Sequence, residues 1–242
     1  MKTLVVMPTF NERTNLDMML TRIHSSTPEV HVLVVDDNSP DGTGAAADAW
    51  AQTDSRVHVL HRPGKGGLGA AYRAGFGWGI DRGYEVLVEM DADGSHQPEQ
   101  LPLLLSALES SPADLVIGSR WVPGGSVVNW PLSRKILSLG GNLYTRLCLG
   151  INTQDATGGY RAFRSDAVQK IGMLAGTAQG YIFQVDNTYR AHRAGLRIVE
   201  VPIEFVERVA GVSKMSRAIV IEAMLSVTVW ALKYRLLRKP FV

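Results

Sequence analysis

Asp91-Ala92-Asp93 is the stretch whose residue types and spacing most directly imply chemistry. Two carboxylates one residue apart raise each other's pKa unless a cation lies between them. Hard oxygen donors of this kind suit Mg2+ or Mn2+. A metal held by so few carboxylates completes its shell with water and substrate phosphates. Two solvated loop aspartates are the plain alternative, so the surroundings matter. The pair closes Tyr84–Met90, a short apolar run rich in β-branched and aromatic residues that reads as a buried strand. A second acidic pair, Asp36-Asp37, closes another apolar run, Val30–Val35. Asn38-Ser39-Pro40-Asp41-Gly42-Thr43 follows, dense in turn residues and helix caps.

The elements that must hold these carboxylates lie on both sides of them. Leu4–Met7 reads as a strand, and Glu12–Ser25 as a helix with Leu16, Met19, Leu20 and Ile23 at helical spacing. Gly44–Gln52 is an Ala-rich helix, Val57–Leu60 a strand and Gly69–Arg82 a helix. Gln97–Ser110 is a helix with Pro98 near its start, and Leu115–Gly118 a strand. Strands alternate with helices and lack polar alternation, which argues an α/β fold with a parallel sheet covered on both faces. Ligands of such sheets sit at the carboxyl ends of the strands. Asp36, Asp37, Asp91 and Asp93 all fall there, so one crevice can hold them. Beyond Gly118 the pattern changes. Ser119–Trp130 reads as a loop, Ser133–Leu149 as a helix with Ser133 as N-cap, and Gln154–Arg164 as a polar loop. Gln184–Ala194 reads as a helix and Arg197–Val206 as a strand.

At 242 residues, with 45% hydrophobic and 20% charged residues, the chain suits one globular domain, alone or with an appendage. Cys148 is the single cysteine, so no disulfide framework exists and a reducing compartment is expected. Met1–Pro8 reads as a first strand rather than a signal peptide. No run of about 18 apolar residues suggests a membrane span. A net charge of +2 says little by itself, and no nucleic-acid partner is expected.

Gly64-Lys65-Gly66-Gly67-Leu68-Gly69 fits the Gly-x-Gly-x-x-Gly pattern of dinucleotide sites. That pattern normally follows the first strand of its unit, whereas here it follows the third. A dinucleotide reading also leaves the four carboxylates unexplained. The glycines fit better as a tight loop that brings backbone close to a nucleotide. It is no Walker A loop, because Gly66 follows Lys65 where Ser or Thr should stand.

Pro8-Thr9-Phe10-Asn11-Glu12, Asp36–Thr43, Lys65–Gly69 and Asp91-Ala92-Asp93 together resemble glycosyltransferase family 2, of the GT-A fold. Four later stretches are similar to dolichol- or polyprenol-phosphate mannosyltransferases: Gly118–Gly125, Trp130–Arg134, Asp155–Arg161 and Arg208–Lys214. The likeness spans about residues 3–216. It implies a Rossmann-like, mostly parallel sheet and inverting transfer of mannose from GDP-mannose to a polyprenyl phosphate. UDP-glucose or another nucleotide sugar is the alternative donor. By the resemblance, Pro8, Phe10, Glu12, Val35 and Asp37 line the guanosine site. Asp91, Ala92 and Asp93 meet the diphosphate, with Asp93 the main ligand of Mg2+ or Mn2+. Ser95 takes the place of a further metal ligand, where some relatives carry Gln. Arg208 and Lys214 face donor phosphates.

A phosphate monoester acceptor is largely dianionic at pH 7 and needs cationic positioning rather than a general base. Arg134 and Ser138 lie four apart on one helix face, and Arg120 follows the fifth strand, so the three can form a phosphate clamp. His96 reads as a structural loop histidine, and Asp186 as helical and structural. Two rivals stand beside the enzyme reading: a nucleotide-binding subunit without turnover, and an NAD oxidoreductase using the glycine loop. Residues 1–215 are expected to form the GT-A domain and 216–242 an amphipathic C-terminal helix. In Ala218–Leu237, Ile219, Ala223, Val227, Trp230, Ala231 and Tyr234 make an apolar stripe, with Lys233, Arg235, Arg238 and Lys239 close by. Cations beside interfacial aromatics suit an anionic membrane surface. The expected place is the cytoplasmic face of a membrane, held peripherally, with room for an integral membrane partner.

Overall fold

Short apolar runs build the sheet. β1 (Thr3–Thr9), β2 (His31–Asp36), β3 (Val57–His61), β4 (Val86–Glu89) and β5 (Leu115–Ser119) are mostly or wholly buried, except β3, which lies half-buried at an edge. Between them run α1 (Arg13–Ser26), α2 (Thr43–Thr53), α3 (Leu68–Asp81) and α4 (Leu101–Ser110). The computed structural model describes residues 1–207 and 217–236. Its second half adds β6 (Ser126–Val128), α5 (Leu132–Leu149), β7 (Arg161–Arg164), α6 (Ser165–Lys170) and α7 (Gly180–Arg193). β8 (Ile198–Pro202), β9 (Glu204–Val206) and α8 (Arg217–Trp230) complete it.

The seven-stranded sheet runs β3-β2-β1-β4-β7-β5-β8, parallel except at β7, which is antiparallel to both neighbours. One face is covered by α1 and α4 through Leu16, Met19, Leu20, Leu101, Leu104 and Leu108. The other is covered by α3, α6 and α7 through Tyr72, Phe76, Val168 and Phe183. α3 lies unusually close to the sheet. A Cβ at Gly75 would stand 2.4 Å from Val6 Cγ1, and one at Gly79 2.7 Å from Leu87 Cδ2.

The expected α/β architecture is present, with four differences. The polar stretch Gln154–Arg164 holds a strand. Its buried Arg161 donates to the carbonyls of Gly158 (2.7 Å), Ala156 (2.8 Å) and Gln184 (3.1 Å), so a residue typical of loops is satisfied inside the sheet. Arg197–Val206 breaks after Pro202, and β9 leaves the main sheet to pair with β6, a strand inside the expected loop Ser119–Trp130. Ser133 lies within the first turn of α5, with Pro131 in the cap position.

The fourth difference concerns the C-terminal helix. α8, continued in wider winding over Ala231–Leu236, packs against α5 and α7. Val227 and Tyr234 are buried with Leu149, Val185 and Tyr189, and Trp230 and Ala231 pack against them. The stripe expected to face a membrane therefore faces the domain. The opposite side exposes Met224, Leu225, Val229 and Leu232. The helix is apolar on both sides, and periodicity alone does not say which side turns inward. The side chains of Ile219 and Arg235, and the tail with Arg238 and Lys239, lie outside the described residues. No helix among the described residues is long and apolar enough to cross a membrane.

Candidate active site

The ends of β1 and β2 are joined by Asp36, which is buried. It accepts from Thr9 Oγ1 (3.0 Å), the Ser39 backbone N–H (3.0 Å) and Ser39 Oγ (2.6 Å). Asp36 thus organises its own turn. Asp37 accepts from Arg62 Nη1 (2.5 Å) and from the Gly66 N–H (3.2 Å), which ties the glycine loop to the end of β2. Lys65 Nζ sits 4.4 Å from the centre of the Phe10 ring. Asn15 Nδ2 donates to Glu12 Oε2 (2.9 Å). Phe10 and Asp37, at the ends of two strands, are thereby gathered around the loop, with Pro8 and Glu12 flanking Phe10 in the chain. Val35 differs. Its side chain is fully buried in the core beneath α3, so only its backbone can meet a ligand.

Asp91 and Asp93 follow the end of β4. Tyr72 of α3 donates from its hydroxyl to Asp91 Oδ1 (3.1 Å). The Asp91 N–H donates to His96 Nδ1 (3.0 Å), which makes that nitrogen an acceptor. His96 is buried, stacks on Tyr160 at 5.0 Å between ring centres, and meets Phe205 edge-on. Burial lowers its pKa, so it is a neutral strut of the loop. Asp93 Oδ1 accepts from the Ser95 N–H (3.0 Å) in a turn that Gly94 completes at φ 76°. Ser95 and Ala92 are buried, and the Ser95 carbonyl accepts from the Val206 N–H (3.3 Å).

The side chain of Asp91 is 35% exposed and Asp93 is half-buried, so both carboxylates stand at a rim. Among the described residues no three His, Cys, Asp or Glu side chains gather into a ready cage. This donor set fits Mg2+ or Mn2+, hard cations that take much of their shell from water and phosphate. It does not resemble a closed structural metal site.

Two residues earlier, Glu89 is fully buried on β4 and accepts from Gln184 Nε2 (2.6 Å). Burial pushes its pKa up to about 7, against the pull of Arg161 and Gln184. On α7, Asp186 is buried and paired with Arg190 at 2.9 Å, a structural pair.

The second half of the site is cationic and aromatic. Arg120, just past β5, places Nε and Nη2 on Asp155 Oδ2 and Oδ1, both at 2.7 Å. Its backbone N–H reaches Oδ2 (3.0 Å), and Nη2 also reaches Thr157 Oγ1 (2.9 Å). Asp155 is fully buried and accepts from Asn142 Nδ2 of α5 (3.3 Å). The backbone N–H groups of Gln154 and Asp155 rest on Glu200 of β8. Burial acts to raise the Asp155 pKa, but the charge and hydrogen bonds of Arg120 outweigh it and hold the carboxyl below its usual range.

Arg134, in the first turn of α5, pairs with Glu207 and lies 4.0 Å from the centre of the Trp130 ring. The Arg120 guanidinium is 5.4 Å from the same ring and 5.5 Å from Phe205. The two arginines therefore converge on Trp130. Ser138 follows one turn along α5, half-buried. Arg134 Nε and the indole N–H groups of Trp121 and Trp130 are buried without a hydrogen-bond partner. Three orphaned donors so close together call for an acceptor. Arg208 and Lys214 lie outside the described residues. Asp155, Asn142, Trp130 and Glu207 had no assigned role in the sequence reading. The only hint was that Trp130 and Asp155 fall inside stretches shared with a family.

The carboxylate rim and the arginines meet through His96, which holds Asp91, and Phe205, which touches both His96 and Arg120. Residues 4–172 match the sequence profile of Glycosyl transferase family 2, and the chain belongs to that family. It is a glycosyltransferase. Within the family it is 59% identical over 235 residues to an undecaprenyl-phosphate mannosyltransferase of Micrococcus luteus, covering 97% of this chain and 96% of the relative. It is 56% identical to a polyprenol monophosphomannose synthase of Mycolicibacterium smegmatis, covering 97% and 89%. Among solved structures, the fold matches mannosyltransferase PcManGT from Pyrobaculum calidifontis, in complex with GDP-Man and Mn2+. The TM-score is 0.61 at 19% identity, over 100% of this chain and 65% of that one. It also matches glucosyl-3-phosphoglycerate synthase from Mycobacterium tuberculosis, with a TM-score of 0.64 at 20% identity, over 97% and 79%. These matches establish the GT-A fold.

Proposed function

We propose that this enzyme transfers mannose from GDP-mannose to a polyprenyl phosphate, with inversion and with Mg2+ or Mn2+, giving polyprenyl-phosphate-mannose and GDP. The observation that carries the reading is the convergence of Arg120 and Arg134 on Trp130, with three orphaned N–H donors around them. Such a site suits a dianionic phosphate better than a sugar hydroxyl. The names of the two high-identity relatives support the same acceptor.

The acceptor phosphate is already ionised, so no side chain has to remove a proton. Its oxygen attacks the anomeric carbon from the side opposite GDP. The sugar–phosphate bond breaks, and its electron pair leaves with GDP. Arg120 is held rigid by Asp155, and Arg134 by Glu207 and the Trp130 face. Both are preorganised before the acceptor arrives, which is where electrostatic catalysis gains most. Asp91 and Asp93 would hold the metal, which supplies charge stabilisation for the leaving diphosphate. Phe10, Asp37 and the glycine loop bind the nucleoside end, and the family resemblance assigns Arg208 and Lys214 to its phosphates. The reaction belongs on the cytoplasmic face of a membrane, where nucleotide sugar and lipid phosphate meet.

The test is incubation with labelled GDP-mannose, Mg2+ or Mn2+ and a polyprenyl phosphate, followed by organic extraction, with labelled UDP-glucose in parallel. Label should enter the organic phase from GDP-mannose only. Transfer from UDP-glucose alone would replace the donor. Asp93→Ala should abolish transfer with little loss of thermal stability, and EDTA should do the same to the native enzyme. Full activity of either would remove the metal.

A further inference from the structure

The acceptor cage holds its charges in pairs. Arg120 is matched by Asp155, and Arg134 by Glu207. The cage therefore has little net charge to offer a dianion, and what it offers instead is hydrogen-bond donors. Three of them are buried and unpartnered: Arg134 Nε and the indole N–H groups of Trp121 and Trp130. A buried donor left unmade costs stability, so several at one place point to a ligand. Trp50 of α2 is the contrast within the same molecule, because its indole N–H donates to Asp17 Oδ1 (2.8 Å).

Trp130 stands at the centre of the cage. Its ring centre lies 4.0 Å from the Arg134 guanidinium and 5.4 Å from that of Arg120. Trp121 meets the ring edge-on at 6.4 Å between centres, and Phe205 at 5.4 Å. Pro131 follows directly, in the cap position of α5, and restricts the backbone at Trp130. The ring is thus gripped by the stretch after β5, by β9 and by the start of α5. An aromatic face attracts a guanidinium, and here one ring attracts two that would otherwise repel each other. We propose that Trp130 is an acceptor-binding residue: its ring sets the spacing of Arg120 and Arg134, and its indole N–H donates to the acceptor phosphate. The inference rests on the reading that the acceptor is a lipid phosphate.

The chemistry fixes which oxygen the indole takes. A phosphate monoester presents three terminal oxygens. One attacks the anomeric carbon and must keep its electron pair exposed. The other two are left for the protein, and the Trp130 N–H belongs to one of them. An indole is a donor only, so it holds that oxygen without entering any proton transfer. Being neutral, it also draws less electron density from the attacking oxygen than a further cation would. A hydroxyl acceptor would leave most of these donors unmatched. A site built around hydrogen bonds rejects a substrate that cannot make them, so the same residue separates phosphate from alcohol acceptors.

The indole N–H is itself the readout. The full chain has five tryptophans, so 15N-labelled protein gives five indole signals, and Trp130→Phe identifies that of Trp130. A short, water-soluble prenyl phosphate, added with Mg2+, should move the Trp130 signal downfield and leave that of Trp50 in place. Trp130→Phe keeps an aromatic face and loses the donor. Site-specific replacement of Trp130 by benzothienylalanine keeps the shape and puts sulfur in place of the N–H. Each should raise the acceptor KM about 10-fold or more, the usual worth of a hydrogen bond to a charged group, and leave GDP-mannose affinity within about twofold. Trp50→Phe is the control and should change neither. A Trp130 signal that stays put while prenyl phosphate saturates the enzyme, or a native acceptor KM in the benzothienylalanine protein, overturns the proposal. So does a signal that moves with GDP-mannose alone and not with prenyl phosphate, which would give the cage to the donor. If no lipid phosphate accepts mannose, yet inorganic phosphate still moves the Trp130 signal, the proposed reaction falls and the phosphate site stands.

Discussion

Asp155 touches neither donor nor acceptor in the proposed reaction, yet the cationic half of the site hangs on it. It fixes Arg120 by three bonds and links β5, α5 and β8. Asp155→Asn keeps the shape and removes the charge, leaving Arg120 buried without its counter-ion. Breaking such a pair costs about 3–5 kcal/mol. The expected outcome is a clear drop in melting temperature. Below that temperature the acceptor KM should rise more than 10-fold, while GDP-mannose affinity by calorimetry stays within twofold. An unchanged acceptor KM would make Arg120 a purely structural residue. Glu89 makes a different prediction. Its native pKa of about 7 lies above the usual 4.5, so the folded state holds a proton that the unfolded chain has released. Stability from this group is complete below about pH 4.5 and falls as pH rises toward 7. The change is on the order of 3 kcal/mol, at 1.36 kcal/mol per unit. Carboxyl 13C NMR of the metal-free protein should show one glutamate titrating near pH 7, absent in Glu89→Gln. A midpoint near 4.5 would refute the burial argument. None of this was legible in sequence. Glu89 falls inside an apolar strand and stands out only as the acid twenty residues past the glycine loop, and Asp155 falls inside a polar loop. Burial raises the Glu89 pKa, and Arg120, 35 residues away, holds that of Asp155 down.

At the scale of elements, α3 links packing to chemistry. It approaches β1 because Gly75 leaves no room for a side chain above Val6, and its Tyr72 thereby reaches Asp91. Gly75→Ala should force the helix off the sheet at a cost of about 1–3 kcal/mol. It should also weaken Mn2+ binding by moving the Tyr72 hydroxyl. Gly77→Ala, on the open side of the same helix, meets nothing within 4 Å and should stabilise by about 0.5–1 kcal/mol. Chemical denaturation separates the two signs, and loss of stability in both would mean that helix propensity is not what Gly77 costs. β1 to β5 and the helices between them were readable because each is a local pattern: an apolar run, a turn, a 3.6-residue stripe. β7 was not. Arg161-Ala162-Phe163-Arg164 has two charges in four positions, and it is a strand only because β4 and β5 leave a gap of its width. The inward face of α8 was misread for a related reason, since both of its faces are apolar.

Over the whole molecule the two halves of the site come from different parts of the chain. The carboxylate rim belongs to the alternating first half. The arginine cage is built by loops and helices after residue 118, and α5 joins that cage to the outer surface. A single helix thus carries the proposed acceptor contacts on one side and an exposed apolar stripe on the other.

The antiparallel β7 also sets the order in which the sheet can be completed during synthesis. β4 and β5 never bond to each other, because β7 stands between them. Residues 86–89 leave the ribosome well before residues 161–164. At about 5–20 residues per second the edge of β4 waits several seconds for its partner. For that interval the nascent chain is a β3-β2-β1-β4 half-sheet with an open apolar edge, and β5 has no strand to dock on. A chain stopped before residue 160 is therefore expected to associate through that edge, whereas one extended past β8 closes it. The antiparallel strand that carries Arg161 into the sheet thus makes the unfinished protein dependent on protection while it is being made.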